Sequence, residues 1–351
     1  MTDSLSLIEK YTALFGPSGC ESDVAAVIVS EIAPFCKNIK RDRMGNVIAK
    51  MSFGDLSSES RRRIMVSAHM DEVGFMINDI KKDGYLGFDT VGGISPSVLA
   101  GRRVRVRTQS GDICGVIASK AIHHKSKEER KKAVEISKLY IDIGAKDKQE
   151  AESVVRIGDF AVFDSESYTF GEGLIKSKAL DDRMGCAAMT EAIAVLSKQK
   201  PDTDIDVYFC FTTREEIGLS GAQTAAFSIR PDIAVVLETT AIADVSLTPD
   251  SQKVANVGKG VVISVMDRST IYDRELIEKA LDISGKDGIS AQLKRYVSGG
   301  NDAGHIHKTA DGARSLALSV PTRYLHSPAC VAALSDYESQ RDMLIALINQ
   351  L

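Results

Sequence analysis

The feature that most constrains the fold of this 351-residue chain is its alternation of short apolar segments with amphipathic ones. Residues 205–213, 233–237 and 316–320 have the apolar character of buried strands, whereas 218–227 and 335–351 have helical periodicity. Such alternation predicts a largely parallel sheet with helices on both of its faces. We therefore expect an α/β fold of the doubly wound type.

One long stretch, residues 73–163, departs from this pattern. Its apolar runs are short and turns are frequent, and residues 102–108 alternate basic and apolar side chains as a half-exposed strand does. We predict a small β-rich domain inserted between two parts of the α/β domain, residues 1–72 and 164–351. A charged run of mixed sign, residues 125–132, is expected to be a solvated loop or helix.

Composition excludes several classes of protein. A net charge of −4 and a pI of about 5.9 give no general attraction to nucleic acid or to anionic membranes. No apolar run approaches the roughly 18 residues that a membrane span needs, and the acidic, amphipathic N-terminus is unlike a signal peptide. The six cysteines have no C-x-x-C spacing, so we expect reduced thiols and a cytoplasmic protein.

The first candidate site residues follow an apolar run at 64–66. His69 and Asp71 are two residues apart, so on an extended segment both side chains point to the same side. In an open α/β sheet, ligands bind at the carboxyl ends of the strands. The pair suits a metal-binding histidine oriented by a carboxylate, or a His–Asp catalytic pair. Taken alone, it also suits a polar strand end without chemistry.

Acidic residues follow at two further positions. Asp181 and Asp182 open a predicted helix, where carboxylates are favourable even without a functional role. Glu215 and Glu216 come directly after the strand at 205–213. Adjacent glutamates can divide two roles, because one can bind a metal while the other takes a proton from water.

Two more strands end in potential ligands. Glu238 follows the apolar run at 233–237, and His326 lies just beyond the strand at 316–320. Two histidines and three carboxylates at neighbouring strand ends are what a pair of zinc-like ions needs, with one carboxylate bridging them. The combination therefore favours a two-metal site.

Five stretches of the chain carry a family resemblance: SAHMDEVGFM, KALDDRMG, TTREEIGLSGA, SGGNDAGHIH and PTRYLHSP. Together they closely resemble the M42 family of metallo-aminopeptidases, of the tetrahedral glutamyl/leucyl type. The resemblance runs nearly end to end and includes residues 42–49 and 139–145. It implies a phosphorylase/hydrolase-like mixed sheet of the co-catalytic zinc peptidase type. It also implies that the inserted domain mediates dimerisation and assembly into a hollow dodecamer.

The resemblance implies five metal ligands: His69, Asp181, Glu216, Glu238 and His326. Asp181 resembles the carboxylate that bridges the two ions, although the choice between Asp181 and Asp182 stays open. His69 and Glu238 would be the other ligands of the first ion, and Glu216 and His326 would be the other ligands of the second. Many family members have aspartate in place of Glu238. Zinc and cobalt are the expected metals, and manganese also suits these ligands.

The remaining implied roles concern catalysis and substrate. Glu215 resembles the general base, and Asp71 the residue that orients His69. Three positions are candidates for substrate contact: Asp302, Arg323 and His123. The expected activity is removal of N-terminal residues from short peptides, through a metal-activated water whose proton Glu215 accepts.

The same residues bear on three other functions. A metal-dependent amidohydrolase acting on N-acyl amino acids would use the same ligands. A catalytically silent assembly subunit would lack the base or a ligand, yet Glu215 and all five ligands are present. A glycosidase needs a carboxylate pair without metals, and the two histidines speak against it.

Overall fold

The structure is a computed structural model that describes residues 3–58, 60–120, 122–124, 126–127 and 134–351. Within these residues there are eight α-helices: α1 (Ser4–Ala13), α2 (Ser22–Ile32), α3 (Lys148–Val154), α4 (Leu180–Leu196), α5 (Ser220–Ile229), α6 (Arg274–Asp287), α7 (Ala303–Ile306) and α8 (Leu334–Gln350). None of the described helices is long and apolar enough to cross a membrane.

The strands fall into three sets. Those of the main sheet are β1 (Asn38–Arg41), β2 (Val47–Phe53), β3 (Arg62–His69), β12 (Ile205–Thr212), β13 (Ile233–Ala241), β14 (Val261–Ile263), β15 (Ala291–Leu293) and β16 (Arg314–Thr322). Those of the inserted unit are β4 (Gly74–Ile80), β5 (Leu86–Val91), β6 (Arg103–Thr108), β7 (Gly111–Ala118), β8 (Tyr140–Asp142) and β9 (Phe160–Phe163). A three-stranded sheet contains β10 (Tyr168–Phe170), β11 (Leu174–Ser177) and β17 (Cys330–Ala333).

The main sheet is mixed, in the order β1-β2-β12-β3-β13-β16-β14-β15. Its four central strands β12, β3, β13 and β16 are mutually parallel, while β1, β2 and β14 introduce antiparallel pairs toward the edges. The predicted parallel arrangement therefore applies to the centre of the sheet. β13 and β16 are buried at every position but one, because helices cover both faces there.

The inserted unit is a closed six-stranded barrel, in the order β4-β5-β8-β7-β6-β9. Its apolar side chains form a cluster separate from the core of the main domain. Phe75 lies at the centre of this cluster, and its ring packs edge-on against Phe88 and Phe163 with centroids 5.2 Å apart. The predicted charged segment 125–132 falls largely outside the described residues.

The barrel contacts the main domain through the segment that follows α1. The Arg107 guanidinium lies 4.2 Å from the centre of the Phe15 ring and forms an ion pair with Asp23 at 2.7 Å. Pro17 pairs with Glu72 in an isolated parallel bridge at the entry to the barrel. The N-terminal segment is thus held against the barrel and against the residues that lead into β4.

Candidate metal centre

The carboxyl ends of the four central strands carry most of the predicted site residues. His69 is the last residue of β3, and Glu215 and Glu216 lie in the loop that follows the end of β12 at Thr212. Glu238 lies in the second half of β13, and His326 lies in the segment that follows β16. Because these strands are adjacent and parallel, their ends meet at one edge of the sheet.

Asp181 reaches this edge from a different part of the fold. It lies in the first turn of α4, which follows β11 of the three-stranded sheet. Its Oδ1 atom is 3.2 Å from His69 Nε2, and its Oδ2 atom is 3.1 Å from His326 Nε2. A single carboxylate therefore contacts both histidines.

Asp182 has a different environment from its neighbour. Its Oδ1 atom accepts a hydrogen bond of 3.0 Å from the backbone N–H of Gly185 in the first full turn of α4. Its other carboxylate oxygen is buried without a hydrogen-bond partner. Asp182 thus caps the helix, as acidic residues at helix starts often do.

The ligand atoms form two groups that share Asp181. One group is His69, Asp181 and Glu238, the other is Asp181, Glu216 and His326, and within each the ligand atoms lie within 4.8 Å of one another. His69 Nε2 is 3.6 Å from Glu238 Oε1, and His326 Nε2 is 3.3 Å from Glu216 Oε1. Each group offers three nitrogen or oxygen ligands, the number that catalytic zinc sites take from the protein.

The electrostatics of the cluster also fit divalent cations. Burial, reinforced by Asp181, raises the pKa of Glu238 to about 8, and burial raises the pKa of Glu216. Burial opposes protonation of His326, but contacts with Asp181 and Glu216 outweigh it and hold the pKa of this histidine well above its ordinary value. Glu216 Oε1 is buried and accepts no hydrogen bond. Several acidic groups are thus buried beside two histidines, an arrangement that bound cations would stabilise.

Asp71 connects His69 to the loop that follows β12. His69 Nδ1 is 3.1 Å from the backbone oxygen of Asp71 and 3.5 Å from its Oδ1 atom. The same carboxylate accepts hydrogen bonds from the backbone N–H groups of Glu215, at 3.0 Å, and Glu216, at 3.1 Å. The Ser18 hydroxyl donates to its second oxygen. Asp71 therefore orients one histidine and both glutamates.

Sequence reasoning missed the segment around Ser18. Glu21 Oε1 accepts hydrogen bonds from the backbone N–H groups of Gly19, at 2.8 Å, and Arg214, at 3.1 Å. Arg214 has a φ of 56°, a left-handed conformation that few non-glycine residues adopt. Ser18 and Glu21 thus hold the start of the loop that carries Glu215. The only local signal in the sequence there is Gly16-Pro17, which favours the end of a helix.

A buried ion network flanks the same centre. Lys178 Nζ lies 2.8 Å from both carboxylate oxygens of Glu72, and Arg183 Nη2 lies 3.5 Å from one of them. Arg183 also donates to the backbone oxygens of Met70, at 2.6 Å, and Tyr11, at 2.7 Å. Lys178 and Arg183 lie on either side of Asp181 in the chain. The network therefore fixes the segment that carries Asp181 against the end of β3.

A cleft of about 500 Å³ opens beside the ligand groups. Glu215, the ligands Asp181, Glu216, Glu238 and His326, and residues of the 294–301 region line it. Burial raises the pKa of Glu215 well above its ordinary value. The cleft thus brings a carboxyl group that can hold a proton next to the predicted metal ligands.

The three residues predicted to contact substrate do not line this cleft. Asp302 is 2% exposed and accepts hydrogen bonds of 2.7 Å from the hydroxyls of Ser67 and Thr212, so it joins β3 to β12. Arg323 forms two hydrogen bonds, of 2.6 and 2.9 Å, with Asp244. His123 is exposed in a short turn of the inserted unit. Their contact with substrate stays a prediction.

Comparison with known proteins agrees with this architecture. The family model described as "M42 glutamyl aminopeptidase" matches residues 45–343. A relative from Acetivibrio thermocellus is 41% identical over 348 residues, which cover 99% of this chain and 98% of that protein. The match therefore extends over both the main domain and the barrel.

Solved structures show the same fold. The TET aminopeptidase of the archaeon Thaumarchaeota archaeon SCGC AB-539-E09 superposes with a TM-score of 0.94 at 37% identity, covering 99% of this chain and 96% of that chain. The TET1 peptidase of Pyrococcus horikoshii, described as able to assemble into a tetrahedron or a large octahedral shell, has a TM-score of 0.88 at 36% identity, with 99% and 100% coverage. With this fold, these relatives and the family match across most of its length, the chain belongs to the M42 family of aminopeptidases.

Proposed function

We propose that this protein is a metal-dependent aminopeptidase that removes N-terminal residues from short peptides, with Glu215 as general base. The observation that carries the proposal is the position of Asp181, whose two oxygens contact His69 and His326 separately. This gives two three-residue ligand groups that share one carboxylate. Membership of the M42 family supports the same activity.

Two divalent ions would be held by these groups. His69, Asp181 and Glu238 would hold one, and Asp181, Glu216 and His326 the other. When bound, such ions lower the pKa of a water molecule and polarise a peptide carbonyl. Zinc or cobalt suits the nitrogen and oxygen ligands best, and manganese is also compatible.

Glu215 would accept a proton from water and deliver it to the leaving amine. Its side chain lines the cleft and makes no hydrogen bond to any described residue, so its carboxylate is available to accept a proton from water. Burial raises its pKa, which lets it retain that proton long enough to deliver it to the leaving amine. The hydrogen bond from its backbone to Asp71 keeps it beside the ligands.

The cleft favours the free end of a peptide. Its volume of about 500 Å³ accommodates a few residues and not a folded chain. The carboxyl groups of Glu215 and Glu238 line this space, and their oxygens can accept hydrogen bonds from the α-amino group of a peptide. These features support cleavage from the N-terminus.

Self-assembly is the second part of the proposal. We propose that the barrel joins subunits into dimers and that these form a tetrahedral dodecamer. The barrel exposes large apolar side chains, among them Val116 at 43% and Ile157 at 67% exposure, which an interface would cover. The tetrahedral particle of the Pyrococcus horikoshii relative supports this arrangement.

The test is hydrolysis of aminoacyl-anilides and their N-acetylated analogues, with and without a chelator, followed by zinc or cobalt add-back. We expect chelator-sensitive cleavage of the free-amine substrates only. Cleavage of the acetylated compounds instead would make the protein an amidohydrolase. Absence of cleavage with every metal would leave it a silent assembly subunit.

A further inference from the structure

The turn that follows β5, at residues 92–95, extends from the barrel into the candidate metal centre. Gly93 lines the same cleft as the predicted ligands Glu216 and His326. Ile94, the next residue in the chain, is buried in the apolar cluster of the barrel. The turn is therefore anchored in the inserted unit, although it borders a site whose predicted ligands lie outside that unit.

A backbone carbonyl of this turn contacts His326, a member of the second ligand group with Asp181 and Glu216. The Nδ1 atom of His326 lies 2.7 Å from the oxygen of Gly93, which is 233 residues away in the chain. A carbonyl oxygen can only accept a hydrogen bond, so Nδ1 carries the hydrogen of this contact. The Nε2 atom then faces Asp181 at 3.1 Å and Glu216 at 3.3 Å. The Gly93 carbonyl thus fixes the ring in the orientation that a metal ligand needs.

Gly92 allows the turn to approach the other side chain of this group, Glu216. Its φ of 84° is a left-handed conformation that favours glycine. A Cβ atom at this position would lie 3.3 Å from the Cβ atom of Glu216, 3.4 Å from its Oε2 atom and 2.8 Å from a methyl group of Val73. Both neighbouring side chains would have to move to accommodate it. Gly92 therefore leaves the space in which the Glu216 carboxylate lies.

The first ligand group has its corresponding contacts within its own stretches of chain. His69 Nδ1 lies 3.1 Å from the backbone oxygen of Asp71. Glu238 Oε1 accepts a hydrogen bond of 2.9 Å from the backbone N–H of Thr239. These contacts come from residues close in sequence to the ligands, whereas those of Glu216 and His326 with the turn come from the barrel.

We propose that the Gly92–Gly93 turn is a positioning element for the second ligand group, in which Gly93 orients His326 and Gly92 leaves room for Glu216. The proposal rests on the proposed two-metal function. The barrel then completes the metal centre, in addition to any part it has in assembly. A disturbed turn weakens binding of the second cation and leaves the first in place.

The test is a titration of metal-free protein with Co²⁺, followed by calorimetry and by visible absorption of the bound ion. It compares wild type with Gly92→Ala and with the matched control Gly101→Ala. Gly101 also lies in the inserted unit and has a φ of 81°, but a Cβ atom there would have no described atom within 4 Å. Gly93→Ala is a control within the turn, because its Cβ atom would lie 3.7 Å from His326 Nδ1, an ordinary contact. His326→Ala identifies the binding step of the second group.

We expect Gly92→Ala to weaken Co²⁺ binding in the second step by roughly 10- to 100-fold, the usual effect of disturbing a contact behind a metal ligand. The other step should keep its wild-type affinity. Gly93→Ala and Gly101→Ala should keep the wild-type affinity of both steps. Saturating Co²⁺ should restore the kcat of Gly92→Ala for a leucyl anilide, because every predicted ligand and Glu215 remain.

Wild-type affinity in both steps of Gly92→Ala, or equal weakening of both, overturns the proposal. The same loss in Gly101→Ala also overturns it, because the effect would then come from backbone strain. If Gly92→Ala does not fold, its combination with Val73→Ala removes the methyl group nearest the new Cβ atom and keeps the contact with Glu216. This double variant should show the same selective loss.

A crystal structure of the cobalt-loaded wild-type protein tests the proposal without any variant. His326 should bind the ion through Nε2 while Nδ1 bonds to Gly93, and a ring that binds the ion through Nδ1 overturns the proposal. Wild-type protein that binds no cation refutes the proposed function and the positioning role with it. Wild-type protein that binds two cations but cleaves no free-amine anilide refutes the aminopeptidase function alone, and the titration still decides the role of the turn.

Discussion

At the scale of single residues, adjacent aspartates have unlike environments. Asp181 points toward the cleft and contacts both histidines, while Asp182 points into α4 and bonds to Gly185. Both residues depart from helical backbone angles within the first turn of α4. Because of that departure, the side chain of Asp181 contacts the two histidines, while the side chain of Asp182 accepts a hydrogen bond from the helix backbone.

This difference predicts unequal effects of two matched substitutions. Asp181→Asn should lower bound zinc below two ions per subunit, because the shared carboxylate would lose a charged oxygen. Asp182→Asn should keep both ions, because asparagine retains an oxygen that can accept from Gly185. Atomic absorption on dialysed protein measures both. Equal metal loss in the two variants would contradict a bridging role for Asp181 alone.

Glu215 provides the second prediction at this scale. Glu215→Gln should lower kcat by roughly 100- to 10,000-fold, the contribution typical of a general base. Metal content should remain near the wild-type value, because Glu215 belongs to neither ligand group. Metal analysis and anilide kinetics on the same preparation check this. A variant that loses its metal would show that Glu215 is a ligand and not the base.

At the scale of elements, the loop between β12 and α5 is held from two sides. Asp71 accepts from its glutamate N–H groups, and Glu21 accepts from Arg214 at its start. Ser18 lies in the same segment as Glu21, and its hydroxyl donates to Asp71, so this segment contacts both sides of the loop. A segment near the N-terminus thereby positions the proposed base, about two hundred residues later in the chain.

The start of β12, at the end of the sheet opposite the ligand groups, gives a pH-dependent prediction. Burial opposes ionisation of Asp206 on β12, but contacts with Lys50, Ser52 and Arg61 outweigh it and lower its pKa to about 2. A carboxyl whose pKa is lower in the folded state stabilises the protein above its unfolded pKa of about 3.8, and this stabilisation is lost as pH falls toward 2.

We therefore expect Asp206→Asn to lower the free energy of unfolding at pH 7 by about 1 kcal/mol or less, given the partial exposure of the group. The difference from wild type should shrink as pH falls from 4 toward 2. Urea unfolding at several pH values measures it, with Asp282→Asn on the exposed face of α6 as control. A difference that is constant down to pH 2.5 would exclude this electrostatic origin.

At the scale of the whole molecule, two separate cores divide the chain. The barrel buries its own apolar cluster around Phe75, and the main domain buries another on both faces of its sheet. At Phe15, Asp23 and Arg107 the contacts between them are a cation–π contact and an ion pair. This division leaves the outer surface of the barrel available for contacts between subunits.

Removal of the barrel is the corresponding prediction. Replacing residues 73–163 by a short glycine-serine linker should abolish the large particle, because the proposed interface would be absent. Mass photometry measures particle size. Ile157→Lys provides a milder variant that keeps the barrel fold and should weaken assembly by placing a charge in the interface. A particle of unchanged size in both variants would refute the assembly role.

The sequence alone determined the features that depend on local pattern. Apolar runs predicted β12, β13 and β16 because burial on both sides of a strand requires continuous apolar side chains. Frequent turns and short alternating segments predicted a β-rich insertion for a similar local reason. The types of residue at each strand end also indicated metal chemistry before any distance was known.

Only the tertiary structure decided which of these residues meet. The contacts of Asp181 with His69 and His326 join positions 112 and 145 residues apart, and no local pattern specifies such pairings. The same holds for Arg323, whose partner is Asp244, and for Lys294, whose place in the cleft follows from the position of β15. Local sequence sets which face of an element is buried, whereas the packing of distant elements sets which side chains share a site.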